Sequence, residues 1–113
     1  MKKINVVKSN DEFNLIMNKG KCFKNRYYVI YNMKNNLDKY RFGISVGKKV
    51  TNAVGRNKLK RQVRNILDYH KNLYSKGQDY IIIIRRSSLG EDYSILEENL
   101  VKILEKMERE NEQ

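Results

Sequence analysis

The residues with the clearest capacity for chemistry are eight basic side chains between positions 41 and 64, a stretch without any acidic residue. Four of them fall in the first turns of a predicted helix, where the helix dipole disfavours cations and neighbouring like charges repel. Bound phosphates would relieve both conflicts, because amides at a helix N-terminus and guanidinium groups donate hydrogen bonds to anions. The segment therefore predicts a phosphate-binding site. The eight residues are Arg41, Lys48, Lys49, Arg56, Lys58, Lys60, Arg61 and Arg64.

Length and charge narrow the class of protein. The chain has 113 residues, with 24 Lys and Arg against 13 Asp and Glu, and a net charge of +11. This length predicts a single domain over residues 1–113. Residues 1–90 hold 21 basic and 5 acidic side chains, whereas residues 91–113 hold 3 basic and 8 acidic ones. We expect a polyanionic partner, either nucleic acid or an anionic membrane, for the first ninety residues.

Several classes of protein are excluded or disfavoured. The mean hydropathy is −0.77, and no apolar run approaches the roughly 18 residues of a membrane span. The basic start at residues 1–5 lacks the apolar segment of a secretory signal, which predicts a cytoplasmic protein. Cys22 and His70 are the only cysteine and histidine, too few for a disulfide or a zinc ribbon. The acidic residues before position 91 lack metal-site spacing, so a protein nuclease is disfavoured.

The partners are narrowed further by the basic helix itself. Its apolar side carries no Trp or Phe, which argues against binding at a membrane surface. We therefore expect no membrane partner and no small-molecule substrate. Nucleic acid remains as the polyanion that the charge distribution favours.

The first elements that must position the basic residues follow from capping and alternation. Ser9 and Glu12 have the spacing of a capping box, which predicts a helix over about 10–19. Gly20 is expected to end this helix in a left-handed conformation. Aromatic and β-branched residues then predict a strand over 22–33, with a possible break near Asn25. Alternation places Tyr28 opposite Tyr27 and Tyr31, so one face of this strand should expose tyrosine.

The second half of the chain carries the basic helix between two strands. Asn35 and Asn36 form a turn that leads into a second, antiparallel strand over 40–46. Thr51 or Asn52 caps the next helix, whose apolar stripe comprises Leu59, Val63, Ile66, Leu67 and a buried, hydrogen-bonded His70.

After Gly77, the apolar run over 80–84 predicts a central strand that is covered on both faces. Arg85 and Arg86 either bind RNA or simply end this strand. An amphipathic helix over 91–110 closes an α+β fold with the order αββαβα.

Two stretches resemble the signature of the protein subunit family of bacterial ribonuclease P. They run from Arg41 to Lys49 and from Asn52 to Arg64, and read RFGISVGKK and NAVGRNKLKRQVR. The resemblance extends to the helix with Phe13, the strand over 21–31, the strand over 79–83 and the terminal helix. The family typically has Arg-Asn-Arg where this chain has Arg56-Asn57-Lys58, and lysine keeps the charge but loses the two-point guanidinium contact.

The resemblance implies a fold similar to a ribosomal small-subunit protein domain and to the fourth domain of elongation factor G. That fold is a two-layer α+β sandwich with a mixed four-stranded sheet and a left-handed βαβ crossover. The resemblance also implies that the RNA subunit is the catalyst and that the protein has no catalytic residues. The RNA uses Mg²⁺, held mainly by the RNA and the substrate, to hydrolyse the phosphodiester that frees the mature 5′ end of tRNA.

The resemblance further assigns residues to two RNA partners, ribonuclease P RNA and precursor tRNA. The alternative to a ribonuclease P subunit is a ribosomal or RNA-chaperone-type protein of the same superfold, without a role in tRNA processing.

The assigned residues also have other interpretations. Lys48 and Lys49 are equally compatible with a solvated surface, and Phe13 with a place in the core. Position 17 is often aromatic in the family, whereas this chain has Met17. The residues assigned to the RNA subunit are Lys48, Lys49, Arg56, Asn57, Lys58, Lys60, Arg61 and Arg64. Those assigned to a cleft for the single-stranded 5′ leader are Phe13, Met17, Tyr31, Lys60 and Arg64.

Overall fold

The computed structural model describes residues 5–111, so the basic start at 1–4 and the last two residues lie outside the described range. The order of helices and strands agrees with the predicted order, including the break near Asn25 that divides the first strand. The elements are α1 (Asn10–Lys19), β1 (Lys21–Lys24), β2 (Tyr28–Lys34), β3 (Arg41–Val46), α2 (Ala53–Tyr69), a 3-10 turn (Lys71–Leu73), β4 (Gln78–Ile84), a second 3-10 turn (Arg86–Ser88) and α3 (Tyr93–Asn111).

The sheet has the strand order β1-β2-β4-β3. β2 pairs in antiparallel fashion with β1 and β4, and β3 pairs in parallel with β4. The predicted turn from β2 directly into a paired β3 is therefore wrong, although the two strands do run in opposite directions. The apolar β4 lies between them, because a strand that is apolar on both faces is most stable at the centre of the sheet.

The loop between β2 and β3 is held open around Gly77. Asn35 donates its backbone N–H to the Gly77 carbonyl at 2.8 Å, and Gly77 donates to the Lys39 carbonyl at 3.0 Å. Gly77 has a φ of 78°, a left-handed conformation that favours glycine. These contacts bring the start of β4 between the two strands, which a two-residue hairpin would prevent.

The parallel pair β3 and β4 is connected through α2, which is the crossover that the resemblance implies. The hand of this crossover stays a prediction. The connection is important for function because it places the basic N-terminus of α2 immediately after the end of β3.

Both faces of the sheet are covered. The main core lies between one face and the helices α2 and α3, and it includes Ile82 of the central strand. A smaller core on the other face contains Val7, Ile16 and Ile81 beneath α1. The coverage predicted for β4 is confirmed, and α1 adds a partial layer to the two that the resemblance implies.

The first turn of α1 has the predicted cap in a modified form. The Ser9 hydroxyl accepts a hydrogen bond from the Glu12 backbone N–H at 3.1 Å. The Glu12 carboxylate accepts from the Ser9 hydroxyl at 3.2 Å, and not from the Ser9 backbone amide as in a complete capping box. The remaining Glu12 oxygen is thereby free to pair with a residue of the sheet.

Gly20 ends α1 without the left-handed conformation that was predicted. Its φ is −74° and its ψ is 160°, which is extended backbone. A Cβ atom at this position would lie 2.5 Å from the Ile16 carbonyl oxygen and 2.9 Å from that of Asn32. Glycine is needed here because the last turn of α1 and the backbone of β2 leave no room for a Cβ atom, and not because of the sign of φ.

His70 ends α2 and is half-buried, not fully buried as predicted. Its Nε2 atom lies 3.1 Å from a Glu97 carboxylate oxygen on α3. The predicted hydrogen bond is confirmed. The ring remains partly exposed because residue 70 follows the last turn of the helix, where the core-facing stripe has ended.

Arg41 is a structural residue and does not belong to the phosphate-binding surface. Its Nε and Nη2 atoms donate to the two Asp79 carboxylate oxygens at 2.9 and 2.7 Å. Its Nη1 atom donates to Glu12 at 2.7 Å. The Asp79 residue is 1% exposed, and these contacts raise the pKa of the guanidinium further. Arg41 therefore joins α1, β3 and β4, and seven of the eight basic residues remain as candidates for phosphates.

Acid should weaken this junction through Glu12. The hydrogen bond from Arg41, and then its charge, lower the pKa of Glu12 below the ordinary value of 4.5. A carboxyl group whose pKa is lower in the folded state stabilises the fold above its unfolded pKa, and this contribution is lost as the pH falls through the folded value. We expect the melting temperature of the wild type to exceed that of Glu12→Gln at about pH 6, and this difference in melting temperature to shrink as the pH falls towards about 3. Thermal unfolding across that range measures it, and a constant difference would contradict the assignment.

Candidate nucleic-acid interface

The N-terminus of α2 is open to an anion. Asn52 caps the helix, with its side-chain oxygen accepting from the Gly55 N–H at 2.9 Å, so the structure selects Asn52 over Thr51. The first turn contains no acidic residue. The partial positive charge of the helix terminus is therefore not neutralised by a carboxylate of its own turn, and an external phosphate would be attracted to it.

The turn over residues 47–51 is fixed by two arginines. The Arg56 Nη1 atom donates to the Thr51 carbonyl at 2.8 Å and to the Lys48 carbonyl at 3.5 Å. Arg86 approaches from the end of β4 and donates to the Lys49 carbonyl at 2.8 Å. The side chains of Lys48 and Lys49 remain exposed. Both lysines are thus held on a backbone whose position is set by guanidinium contacts.

The role of Arg86 could not be inferred from the sequence. Arg86 binds the backbone of the Lys48 and Lys49 turn, and Arg85 donates to the Asn25 carbonyl at 2.8 Å. Both arginines therefore bind backbone carbonyls at the end of β4. Their position after a predicted central strand was the only signal available.

The remaining basic residues of α2 lie on two flanks of the helix. At 100° per residue, Asn57, Lys60, Arg61 and Arg64 fall on one flank, while Lys58 falls on the other. Asn57, Lys58, Arg61 and Arg64 are exposed, and Lys60 is half-buried. Within residues 5–111 the structure shows no ion pair to Lys58, Arg61 or Arg64. Their charges are available to a partner.

The aromatic residues assigned to a cleft lie together on the α1 side of the sheet. Phe13, Met17 and Tyr31 are half-buried, and all three pack against the smaller core. Phe13 lies directly over Gly43, where a Cβ atom would be 2.6 Å from the Phe13 ring. Glycine on β3 thus lets the ring settle into the sheet. Phe13 contributes both to the core and to the exposed wall of the cleft.

A small pocket of about 110 Å³ joins Phe13, but not Met17 or Tyr31, to the basic helix. Arg64 lines the pocket together with Phe13, Gly43 and Ile44. Lys60 is not among the residues that line it. The structure therefore brings Arg64 to the aromatic side of the sheet and leaves Lys60 further along the same flank.

The three neighbouring tyrosines have different environments. Tyr28 is buried and donates its hydroxyl to the Leu96 carbonyl at 2.9 Å. Tyr27 precedes the start of β2 and packs against the main core, so it does not follow the predicted alternation. Tyr31 presents part of its ring on the α1 face, which confirms that one face of the strand exposes tyrosine. Its neighbour Cys22 on β1, together with burial, raises the pKa of Tyr31.

Among the described residues, no three His, Cys, Asp or Glu side chains are grouped so that they could hold a metal ion. No helix in the described part of the chain is long and apolar enough to cross a membrane.

The fold and the surface together define a class of α+β proteins with a mixed four-stranded sheet, in which a basic helix N-terminus lies beside partly exposed aromatic residues. Residues 1–108 match the family model described as Ribonuclease P. The chain is 42% identical over 108 residues to the ribonuclease P protein component of Mycoplasma mycoides, covering 95% of this chain and 99% of that protein. It is 39% identical over 104 residues to that of Streptococcus mutans, covering 92% and 87%.

Solved structures agree with these relatives. The RNase P protein from Thermotoga maritima matches with a TM-score of 0.82 and 35% identity, over 88% of this chain and 94% of that one. A Staphylococcus aureus RNase P protein mutant with defective mRNA degradation activity matches with a TM-score of 0.87 and 34% identity, over 94% and 90%. This chain belongs to the ribonuclease P protein family, and is thus of the kind that forms a subunit of a tRNA-processing endoribonuclease.

Proposed function

We propose that this protein binds the catalytic RNA of ribonuclease P in the bacterial cytoplasm and holds the 5′ leader of precursor tRNA for cleavage. The observation that carries the proposal is that the basic N-terminal half of α2, which has no acidic residue in its first turn, lies beside the α1 cleft. Arg64 belongs to both, because it lies on the basic helix and lines a pocket with Phe13. One small surface thus offers a single strand both hydrogen-bond donors for its phosphates and aromatic rings for its bases.

In this proposal the RNA subunit carries out the hydrolysis. Mg²⁺ is held mainly by the RNA and the substrate, and supplies the charge that stabilises the phosphodiester being cleaved. The protein's residues bind and orient the two RNAs. The basic surface of α2 lowers the electrostatic cost of bringing two polyanions together.

The RNA-subunit face comprises the start of α2 and the turn before it. Free amides of the helix N-terminus and the side chains of Lys48, Lys49 and Arg61 donate to phosphates. Arg56 supports this face through its bond to the Thr51 carbonyl, and its remaining donors can reach a phosphate. Lys58 contributes one charge without the planar fork of an arginine.

The leader cleft reads a single strand with little sequence preference. Bases stack on aromatic rings for about 1 to 3 kcal/mol each, whatever the base. Phe13 and Tyr31 supply such rings, and the Met17 thioether packs against a base more weakly. In this proposal Arg64, and Lys60 further along the flank, bind the phosphates of the same strand.

Binding measurements with four RNAs test the proposal against a ribosomal or RNA-chaperone role. We expect tight binding to ribonuclease P RNA, and preference for precursor over mature tRNA once that complex has formed. A protein of the alternative kind would bind ribosomal RNA equally well and would show no preference between the two tRNAs. That second result would contradict the proposal.

Arg61→Ala should reduce the salt dependence of binding to the RNA subunit. Each lost phosphate contact lowers the slope of log K against log salt concentration by about 0.7 to 0.9. Arg61 is exposed and has no partner within the described residues, so its replacement removes a phosphate contact without disturbing the fold. Filter binding between about 0.1 and 0.5 M salt measures the slope.

Two further variants serve as comparisons for Arg61→Ala. Lys102→Ala removes an exposed charge from α3 and should leave the slope unchanged. Arg56→Ala should also weaken binding to the RNA subunit. Because this variant releases the turn over 47–51 as well, its loss of affinity has two causes, the missing phosphate contact and the altered turn. A normal slope for Arg61→Ala would show that this side chain is not at a phosphate.

A further inference from the structure

A second surface of α2 exposes apolar side chains on the flank opposite Arg64. Tyr69 at the end of α2 is 82% exposed, Leu89 before α3 is 45% exposed, and Tyr93 at the start of α3 is 36% exposed. Burial, and then Glu97 and Tyr69, raise the pKa of the Tyr93 hydroxyl, so the two tyrosines are close enough to interact. Isolated exposed apolar residues are ordinary, whereas neighbouring ones indicate a binding surface.

A groove of about 320 Å³ lies on this same flank. Its walls are the first half of α2, with Lys58 and Gln62, and the segment with Leu89 and Glu91. Spacings of four and seven residues place Lys58, Gln62 and Tyr69 on one side of α2. The groove therefore leads along the helix towards the two tyrosines. We call these residues together the far-flank groove.

The polar groups of the groove suit a nucleotide. Lys58 is exposed and can bind a phosphate. The Gln62 amide offers a donor and an acceptor to the edge of a base, as amide side chains commonly do. Glu91 accepts from the Asp92 N–H at 3.2 Å and from the Tyr27 hydroxyl at 3.3 Å. Its carboxylate is thus held in place, with acceptor capacity left for a base amino group.

The charge around the groove favours RNA over a second protein. The groove is lined by one basic and one acidic side chain, Lys58 and Glu91, and it adjoins the start of α2 and the preceding turn, which carry Lys48, Lys49 and Arg56 and no acidic residue. Two copies of so basic a surface would repel each other, whereas a polyanion would be attracted. The groove also continues the start of α2, which carries the RNA-binding role under the proposed function.

We propose that the far-flank groove binds an unpaired nucleotide of the RNA subunit. Its base would lie against Leu89 and hydrogen-bond to Gln62, its phosphate would meet Lys58, and the adjoining base would stack on Tyr69 and Tyr93. This inference rests on the proposed function, since it names a further contact with the same RNA. RNA would then contact both flanks of α2, through phosphates on the flank of Arg64, and through bases together with the Lys58 phosphate on the other flank.

The test measures binding of transcribed ribonuclease P RNA by the full-length Tyr69→Ala/Leu89→Ala variant. We expect affinity to fall about tenfold or more, because base stacking is lost. The slope of log K against log salt should not change, because no phosphate contact is removed. The matched control is Leu15→Ala/Leu37→Ala, which truncates two side chains that are each 42% exposed elsewhere. Tyr69→Ala alone provides the variant least able to disturb folding.

The outcomes separate this inference from the proposed function. If the wild type binds the RNA and both double variants bind equally well, the inference is overturned and the proposed function stands. If the wild type does not bind the RNA, the proposed function itself is contradicted, and the inference that rests on it is overturned as well. Sedimentation of the free protein provides a further arm. A self-association that the groove variant abolishes, with unchanged RNA affinity, would assign the groove to a second copy and overturn the inference.

Discussion

Arg41→Met is expected to lower the free energy of unfolding by about 3 to 5 kcal/mol, the cost of leaving a buried charge without its partner. The Arg41 and Asp79 side chains are 15% and 2% exposed, and their bidentate contact supplies the principal partner of Asp79. Asn35 also donates to the same carboxylate at 2.8 Å, but it carries no charge. Denaturant unfolding of the two proteins measures the difference.

Two comparison variants separate the contributions of Glu12 and Asp79 to this loss of stability. Glu12→Gln removes the exposed arm of the same network, and it should cost at most about 1 kcal/mol at neutral pH. Arg41→Met/Asp79→Leu removes both buried charges and should recover much of the lost stability, because a buried ion pair is often replaceable by apolar residues. A loss below about 1 kcal/mol for Arg41→Met would mean that water reaches Asp79 and that Arg41 does not hold the junction.

Tyr31→Ala is expected to reduce the preference of the assembled complex for precursor over mature tRNA by about tenfold. The variant removes one aromatic ring from the leader cleft, and a base stacked on a ring contributes roughly 1 to 3 kcal/mol. Affinity for the RNA subunit should change little, because Tyr31 lies on the α1 face of the sheet, away from the start of α2. Parallel titrations of the complex with the two tRNAs measure the preference.

The conservative variant Tyr31→Phe separates stacking from hydrogen bonding. It keeps the ring and should therefore keep most of the preference. If Tyr31→Ala weakens binding to the RNA subunit and to precursor tRNA equally, Tyr31 acts through the fold and not through the leader.

Local sequence patterns predicted the features that depend on neighbouring residues. The stripe of Leu59, Val63, Ile66 and Leu67 on α2 is buried as its spacing indicated. A cap at Thr51 or Asn52, of which the structure has Asn52, and the break near Asn25 were likewise predicted, because a helix start and a strand interruption depend on a few adjacent side chains. The basic face of α2 follows from the same helical spacing once the core stripe is known.

Features that depend on distant residues could not be read from local patterns. The strand order depends on where β4 inserts, and a turn between β2 and β3 looks the same in either arrangement. Gly20 is required by the nearby Ile16 carbonyl and also by the approach of Asn32, twelve residues away, and no local motif records the second contact. The far-flank groove is formed by α2 and a segment nearly thirty residues later, so its walls are not visible as a motif.

The structural role of Arg41 did have a signal in the sequence. Asp79 immediately precedes an apolar run that was predicted to be buried on both faces. A charge at the entrance of such a strand needs a partner, because burying it alone is costly. Arg41 begins the strand that pairs with β4 in parallel, and Asp79 is its register partner. Only knowledge of that pairing would have removed Arg41 from the phosphate-binding set.

Reconstitution with the ribonuclease P RNA of the same organism tests the central claim most directly. Precursor tRNA with a labelled 5′ leader is incubated at low Mg²⁺ concentration with the protein, with the RNA, or with both. We predict that the protein alone cleaves nothing, and that the complex releases the leader at the mature 5′ end far faster than the RNA alone. A rate for the complex equal to that of the RNA alone, or cleavage by the protein alone, would contradict the account.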